Sequence, residues 1–181
     1  MNKVHIWYSK YIGGSWTAWN QSRITPTDGV SAASGGYLWN VTPGAVSATQ
    51  GFKVRVAQYM GDAVTVGSPY DDSDQGFTVK GTISLQRPGD NIENFKVGAN
   101  EPINWTVSGL TNADLVKIKF ARYGDFNSSS TLTAAENATN GTWLWSPIPD
   151  ATTTSATAKI RVELANDASV GGESINAFNI K

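Results

Sequence analysis

The chain has 181 residues, a formal net charge of −1 and a sequence pI near 5.8, and only 16% of its residues are charged. Because no cluster of lysine and arginine supplies a positive potential, this composition excludes electrostatic binding to nucleic acid or to an anionic membrane. There is no cysteine. No apolar run approaches the roughly 20 residues that a membrane-spanning helix needs, so we predict no membrane span.

The first predicted strand begins at Val4. Val4, Ile6 and Tyr8 alternate with His5 and Trp7. This period of two indicates a strand with one face in the core, so we predict that His5 and Trp7 point outward. His5 is the only histidine. With no cysteine to complete a zinc site and no helix to present it, it is predicted to be solvated rather than catalytic.

A hairpin is predicted directly after this strand. Paired glycines accept the positive φ angles that a two-residue hairpin loop requires, so Gly13-Gly14 predicts such a loop. A loop at these glycines pairs Ile12 with Ser15. It also pairs Tyr11 with Trp16.

Three aromatic rings are predicted to share the outer face of the hairpin. Alternation along paired strands places Trp7, Tyr11 and Trp16 on that face, whereas Tyr8 and Trp19 point inward. Strips of exposed rings are typical of glycan-binding surfaces, because the apolar faces of sugars stack on them. The alternative is that the rings are covered by a strand segment missing from this part of the chain, or by a neighbouring domain.

The densest acidic run consists of Asp71, Asp72 and Asp74, with Ser73 between them. Calcium takes oxygen ligands from loops of this composition, so a calcium ion near a domain junction is one interpretation. The other is a solvated loop, because the aligned stretch 171–174 does not repeat the acidic cluster. No other cofactor is predicted.

The sequence repeats itself at a spacing of just over 100 residues. Four pairs of segments correspond: Val4–Tyr8 with Val116–Phe120, Tyr37–Trp39 with Trp143–Trp145, Phe52–Val56 with Ala158–Val162, and Ser73–Lys80 with Ser174–Lys181. Nothing in the first copy corresponds to residues 81–115. A period of this length is typical of tandem whole domains. We therefore predict an N-terminally truncated domain at residues 1–80 and a complete one at residues 81–181.

The predicted fold is all-β, with no segment of sustained helical period. About seven short strands per full copy, with turns every 8–12 residues or so, are typical of immunoglobulin-like or fibronectin-like β-sandwiches in tandem. Gly35-Gly36 and Gly171-Gly172 are predicted turns. Trp39 and Trp145 occupy the same inward position, and Trp105 follows the alternation of its strand, so all three are predicted to be core residues.

Six segments match the acceptor pattern for N-glycosylation. Asn104 lies in a predicted core strand and is a poor acceptor. The remaining candidates are Asn20, Asn40, Asn127, Asn137 and Asn140. The last three cluster in one predicted loop, which favours an exposed surface there.

Several segments of the second copy follow the pattern of one known family. They are Ile83-Ser84-Leu85, Pro88-Gly89-Asp90, Phe95–Gly98, Ile103-Asn104-Trp105, Val116–Ile118, Trp143–Trp145 with Pro149, and Lys159–Val162. Together they resemble the Ser-Thr-rich, GPI-anchored-type repeat, a β-sandwich of yeast cell-wall assembly proteins and of long bacterial and archaeal surface proteins. The family usually has P-N-G-G-E-x-W before the glycine, so Asp90 and Phe95 depart from it.

The resemblance implies an extracellular or cell-surface module that is not an enzyme, serving as a stalk, fibre or adhesion segment of a longer repeat protein. No catalytic residue carries over from the family. The alternative function is a carbohydrate-binding module that holds a polysaccharide through Trp7, Tyr11 and Trp16.

The first copy is predicted to lack strands that complete its sheets. Missing strands leave unpaired edges and an open core. We therefore expect a neighbouring repeat or like subunit, an upstream segment of the parent protein, or a rearranged smaller sheet to fill the gap, and strand complementation between chains is the most specific form of this expectation.

Overall fold

The computed structural model describes residues 3–19, 22–41, 47–60, 69–89, 93–150 and 155–181. The fold is all-β, with 55% of residues in strands. Among the described residues, no helix is long and apolar enough to cross a membrane. The chain divides into two compact units, Met1–Val79 and Lys80–Lys181.

The described residues of the first unit form one sheet. Its strands are β1 (Lys3–Ile12), β2 (Ser15–Trp16), β3 (Val30–Ser31), β4 (Ser47–Gln58), β5 (Tyr70–Asp72) and β6 (Phe77–Val79). They lie in the order β2-β1-β4-β5, with β3 beside β1 and β6 beside β4. All pairs are antiparallel.

Two sheets are formed by the residues of the second unit that the structure describes. Their strands are β7 (Thr82–Arg87), β8 (Asn94–Phe95), β9 (Glu101–Ser108), β10 (Leu115–Ala121), β11 (Ser130–Asn137), β12 (Thr142–Trp145), β13 (Ser155–Leu164), β14 (Asp167–Glu173) and β15 (Phe178–Ile180). The larger sheet has the order β11-β10-β13-β15-β8, with β14 beside β13, and the smaller has the order β12-β9-β7.

The core of the second unit lies between these two sheets. Ile118 of β10 and Val162 of β13 are opposite each other, and both are fully buried because their strands alternate apolar with charged residues. The smaller sheet contributes Trp105, whose indole N–H donates to the carbonyl oxygen of Ala138 at 2.7 Å. A β-sandwich therefore fits this unit.

The first unit pairs its strands in the same register as the second. Val4 lies opposite Gln58 in β1 and β4, and the residues at the repeat-aligned positions, Val116 and Leu164, are opposite each other in β10 and β13. The register then continues without a shift along both strand pairs. Each unit is thus built around an equivalent pair of central strands.

A serine stabilises the turn that follows β5 in the first unit and the turn that follows β14 in the second. The Ser73 N–H donates to the Val54 carbonyl at 2.9 Å, and its hydroxyl accepts from the Val54 N–H at 3.2 Å. Ser174 makes the same two bonds with Ile160, at 2.9 and 3.3 Å. Because each serine satisfies two backbone groups, it holds the turn close to the central strand.

The two faces of β1 differ from the sequence-based prediction. His5 and Trp7 are 1% and 3% exposed, whereas Val4, Ile6 and Tyr8 are only half-buried. The second unit buries its equivalent apolar face beneath a second sheet, and the described part of the first unit has one sheet only. The apolar face of β1 therefore lacks the layer that excludes water from such a face.

The prediction that His5 is a solvated outer residue is wrong. Its Nδ1 lies 3.0 Å from the Thr25 hydroxyl oxygen. Its ring makes an edge contact with Tyr59, with 4.9 Å between the centroids. Hydrogen bonding and ring packing on the outer face of the sheet account for the burial.

The glycine pairs have two different roles. Gly13 and Gly14 have φ angles of 58° and 89°, and the hairpin has the predicted register. The prediction of a turn at Gly171-Gly172 is wrong, because both residues lie inside β14. A Cβ atom on Gly172 would lie 2.6 Å from the backbone oxygen of Ile83 in β7, so this glycine permits a close approach of two strands.

Candidate functional site

The β1–β2 hairpin presents two aromatic rings to solvent. Both loop glycines have positive φ, as a type I′ turn requires, and the turn places Tyr11 directly opposite Trp16. The two rings meet edge to face, with centroids 5.3 Å apart. Each residue is 43% exposed.

These rings line an open depression on the first unit. Its walls are Tyr11, Trp16, Gly51, Gly76, Phe77 and Thr78. A Cβ atom on Gly51 or Gly76 would lie 3.5 or 3.6 Å from the outer edge of the Trp16 ring, so the indole lies close over glycine positions. The Lys53 ammonium is 5.6 Å from the Trp16 centroid. The surface thus combines aromatic faces with one cation.

Trp7 is not part of this surface, and the prediction that it belongs to an exposed strip is wrong. It lies opposite Arg55 of β4 and forms a bridge with Arg23. The Arg23 guanidinium is 5.8 Å from the Trp7 ring centroid, and the His5 ring meets its edge. Long side chains on both neighbouring segments therefore cover the ring.

An arginine stacked between two aromatic rings organises the same outer face. The Arg55 guanidinium lies 4.6 Å from the Trp19 ring centroid and 3.8 Å from that of Tyr70. It also makes a bidentate pair with Asp72, with Nε–Oδ1 at 2.6 Å and Nη2–Oδ2 at 2.8 Å. This hydrogen-bonded pairing raises the pKa of Arg55 and lowers the pKa of Asp72.

This ion pair involves only one carboxylate of the acidic run that the sequence analysis identified. Asp72 is bound by Arg55, whereas Asp71 and Asp74 are exposed. Across the described segments of the chain, no three acidic or histidine side chains come together in a group able to hold a metal ion. The described structure therefore does not bring Asp71, Asp72 and Asp74 together as ligands.

The arginine cluster was not predicted from the sequence, although the repeat contains a signal for it. Arg55 and Arg161 occupy the same repeat position, and each faces an acidic residue on the next strand, Asp72 or Glu173. Arg161 Nη1 lies 3.1 Å from a Glu173 carboxylate oxygen. An acid and an arginine repeated at the same spacing predict a cross-strand ion pair.

The outer face of the second unit has a carboxylate surrounded by cations. Glu163 is 1% exposed, and its oxygens lie 3.1 Å from Lys117 Nζ, 3.0 Å from Lys119 Nζ and 2.7 Å from Arg161 Nε. Burial by itself raises the pKa of Glu163. The three neighbouring positive charges outweigh that effect, those of Lys119 and Lys117 first and then that of Arg161, so its pKa is lower than usual.

We expect this cluster to make the second unit less stable in acid. A carboxyl with a depressed pKa stabilises the fold fully above its unfolded pKa and loses that effect as the pH falls through its folded pKa. Asp167 acts in the same direction, since hydrogen bonds from Lys80 and Ser169 lower its pKa to about 2. Urea denaturation at pH 7 and pH 3 is the measurement.

Glu163→Gln separates the cluster from general acid effects. The variant removes the carboxylate that Lys117 and Lys119 both face, while Arg161 keeps Glu173, so we expect it to lower the free energy of unfolding by roughly 1–3 kcal/mol at pH 7 and to flatten the pH dependence. Glu136→Gln on β11 is the control. If the free energy of unfolding of Glu163→Gln falls with pH as steeply as that of the wild type, Glu163 is not the group that makes the second unit less stable in acid.

The candidate glycosylation sites differ in accessibility. Asn20 lies outside the described residues. Asn40, Asn127 and Asn140 are exposed. Asn137 is half-buried, and its Nδ2 donates to the Asn112 carbonyl at 2.6 Å while its Oδ1 accepts from the Thr139 N–H. The side-chain amide of Asn137 is therefore already used to cap a 3-10 turn.

No protein-family model and no curated protein matches the chain. Any function proposed for it must therefore come from its own contacts and from the family pattern in its sequence.

Proposed function

We propose that this chain is a non-enzymatic, load-bearing module of an extracellular surface protein, built from tandem immunoglobulin-like sandwiches and serving as a stalk, fibre or adhesion segment. Two observations support the tandem arrangement: the equivalent register of the central strands, and the serine-stabilised turn in each unit. The surface location is supported by the resemblance to repeats of cell-wall and surface proteins.

The observation that carries the mechanical part of the proposal is the parallel pairing of β8 with β15. Asn179 lies opposite Asn94, and Ile180 lies opposite Phe95. The Lys181 N–H donates to the Phe95 carbonyl at 3.0 Å, and the Val97 N–H donates to the Lys181 carbonyl at 2.8 Å.

Parallel pairing matters when a module is pulled by its ends. β7 precedes β8 in the second unit, so tension reaches β8 once β7 has detached from β9, and it then pulls the start of β8 and the end of β15 in opposite directions along the strands. All hydrogen bonds between the two strands are then loaded together. An edge strand pulled sideways instead loses its bonds one at a time, so the shear geometry resists a larger force.

Single-molecule pulling tests this proposal. The chain has no cysteine, so handles can be attached through cysteines engineered at Lys3 and Lys181. We expect a distinct unfolding event of the second unit that releases roughly 340–370 Å of chain, the extended length of residues 80–181.

Moving the handles provides the control. Tyr123 and Leu144 are 74% and 52% exposed and lie outside β8 and β15. Handles at these positions are expected to peel β11 and β12, the edge strands of the two sheets, at a lower force. If end-to-end pulling unfolds the second unit at the same or a lower force, the load-bearing function is wrong.

The depression beside the hairpin favours a second function, glycan binding. Tyr11 and Trp16 remain exposed there, and aromatic faces of this kind stack on the apolar faces of sugars. This surface differs from the predicted strip because Trp7 is buried and takes no part in it, whereas Phe77 is among the residues that line the depression.

Trp16→Ala tests the glycan function. If the rings bind a polysaccharide, the change should abolish retention on an insoluble glycan, while the melting temperature stays nearly unchanged because a half-exposed ring contributes little to folding. Tyr123→Ala is the matched control, since Tyr123 is the exposed aromatic at the repeat position of Tyr11. No retention of the wild-type chain on any glycan screened would remove this function.

A further inference from the structure

Equivalent positions in the two units have very different exposure. Val162 is fully buried in the second unit, whereas Val56, at the same position in the first, is 40% exposed. Phe178 is 1% exposed, and its counterpart Phe77 is 36% exposed. In its described residues, the first unit therefore has the apolar face of a sandwich without the layer that covers that face in the second unit.

The second unit shows which residues form the covering layer. β8 runs parallel to β15, so that Phe95 packs against Phe178 with ring centroids 4.8 Å apart. β9 runs antiparallel to β12 and places Ile103 opposite Trp143. Ile103 and Trp105 of β9 are 0% and 2% exposed, so both enter the core.

Both strands that bind this layer have counterparts in the first unit. β6 is the counterpart of β15, and within the described residues it pairs with β4 only. Residues 37–39 are the counterpart of β12, and they pair with no strand in the part of the chain that the structure describes. Tyr37 is 40% exposed, and Trp39 stacks on Tyr8 with centroids 5.2 Å apart.

A difference between the two units at one repeat position shows which strand of the covering layer cannot fit on the first unit. In the second unit β7 approaches β14 at Gly172, where an added Cβ atom would lie 2.6 Å from the Ile83 oxygen. The first unit has Asp71 at this position, opposite Val56. A strand placed like β7 would collide with Asp71 and desolvate its carboxylate, whereas β8 and β9 do not pair with this position.

We propose that the first unit is an acceptor for an extended segment of another polypeptide that has the pattern of residues 93–108. The segment places a phenylalanine against Phe77 and runs parallel to β6. It then turns and pairs antiparallel with residues 37–39, so that an Ile-x-Trp alternation covers Val56. Strand addition of this kind satisfies free backbone groups and fills side-chain pockets together. The acceptor does not depend on the function of the whole chain.

A fluorescent peptide with the sequence of residues 93–108 tests the proposal on the full-length chain. We expect saturable binding by fluorescence anisotropy. In NMR spectra of the labelled chain, shift changes should concentrate at Ile6, Val56 and Tyr37. A control peptide with Phe95, Ile103 and Trp105 replaced by serine is expected not to bind.

Variants of the acceptor complete the test. Val56→Ser and Tyr37→Ser are each expected to weaken binding by about tenfold, because each removes part of the apolar contact. Both positions are partly exposed, so the variants should fold, and unchanged amide spectra verify this. Leu144→Ser, at an exposed apolar position in the second unit, should leave binding unchanged.

A longer peptide tests the role of Asp71. The peptide of residues 82–108 adds the sequence of β7, and we expect it to bind the wild-type chain no more tightly than the 93–108 peptide. Asp71→Gly should strengthen binding of the longer peptide only. Absence of saturable binding by the 93–108 peptide, or binding that Val56→Ser and Tyr37→Ser leave unchanged, would overturn the proposal.

Discussion

Replacing Trp145 with alanine is expected to lower the free energy of unfolding of the second unit by about 3–5 kcal/mol, the usual cost of removing a large aromatic side chain from a core. Trp145 is 4% exposed, and its ring packs against Phe120 across the two sheets, with centroids 5.0 Å apart. The strands of both sheets hold the neighbouring side chains in place, so the site can collapse only partly around the cavity. Urea denaturation followed by amide hydrogen exchange in β10 and β13 measures the loss.

The repeat supplies a matched comparison for this change. Trp39 is the counterpart of Trp145 and stacks on Tyr8, the counterpart of Phe120. Trp39 is only half-buried, so Trp39→Ala removes less buried area and should destabilise the first unit by a smaller amount. Equal losses for the two variants would mean that the apolar face of the first unit is as well covered as that of the second.

Gly172→Val is expected to have the second large effect, a loss of roughly 3 kcal/mol or more, because overpacking against a backbone cannot be relieved by turning a side chain. The added Cβ would lie 2.6 Å from the Ile83 oxygen and 3.0 Å from the Leu85 nitrogen. Either β14 must move away from β7, or the smaller sheet must shift. Thermal unfolding and the amide shifts of β7 measure these outcomes.

Asp71→Val is the control for this prediction. It introduces the same side chain at the same repeat position, but the first unit has no strand like β7 beside it among its described residues. We expect a change of less than about 0.5 kcal/mol, as is usual for an exposed site. A large loss from Asp71→Val together with a small loss from Gly172→Val would contradict the close strand approach in the second unit.

The hairpin part of the candidate site could be predicted from the sequence. The glycine pair predicted the hairpin, and the hairpin register brought Tyr11 opposite Trp16, as the structure has them. The burial of Trp7 could not be predicted from the sequence, because it depends on Arg23, a residue outside the paired strands β1 and β4. Local alternation predicts which side of a strand a residue takes and contains no information about what covers that side.

The sequence by itself determined the all-β class, the turns whose glycines require positive φ, and the correspondence between the central strands of the two units. These properties depend on local backbone preference and on a period of two, both of which act within a few residues. Only the tertiary structure decided burial. Val4 and Val116 have the same local sequence pattern, yet Val116 is fully buried and Val4 is not. The difference arises because burial is decided by the second layer, which other strands form in the second unit and which is absent from the described part of the first unit.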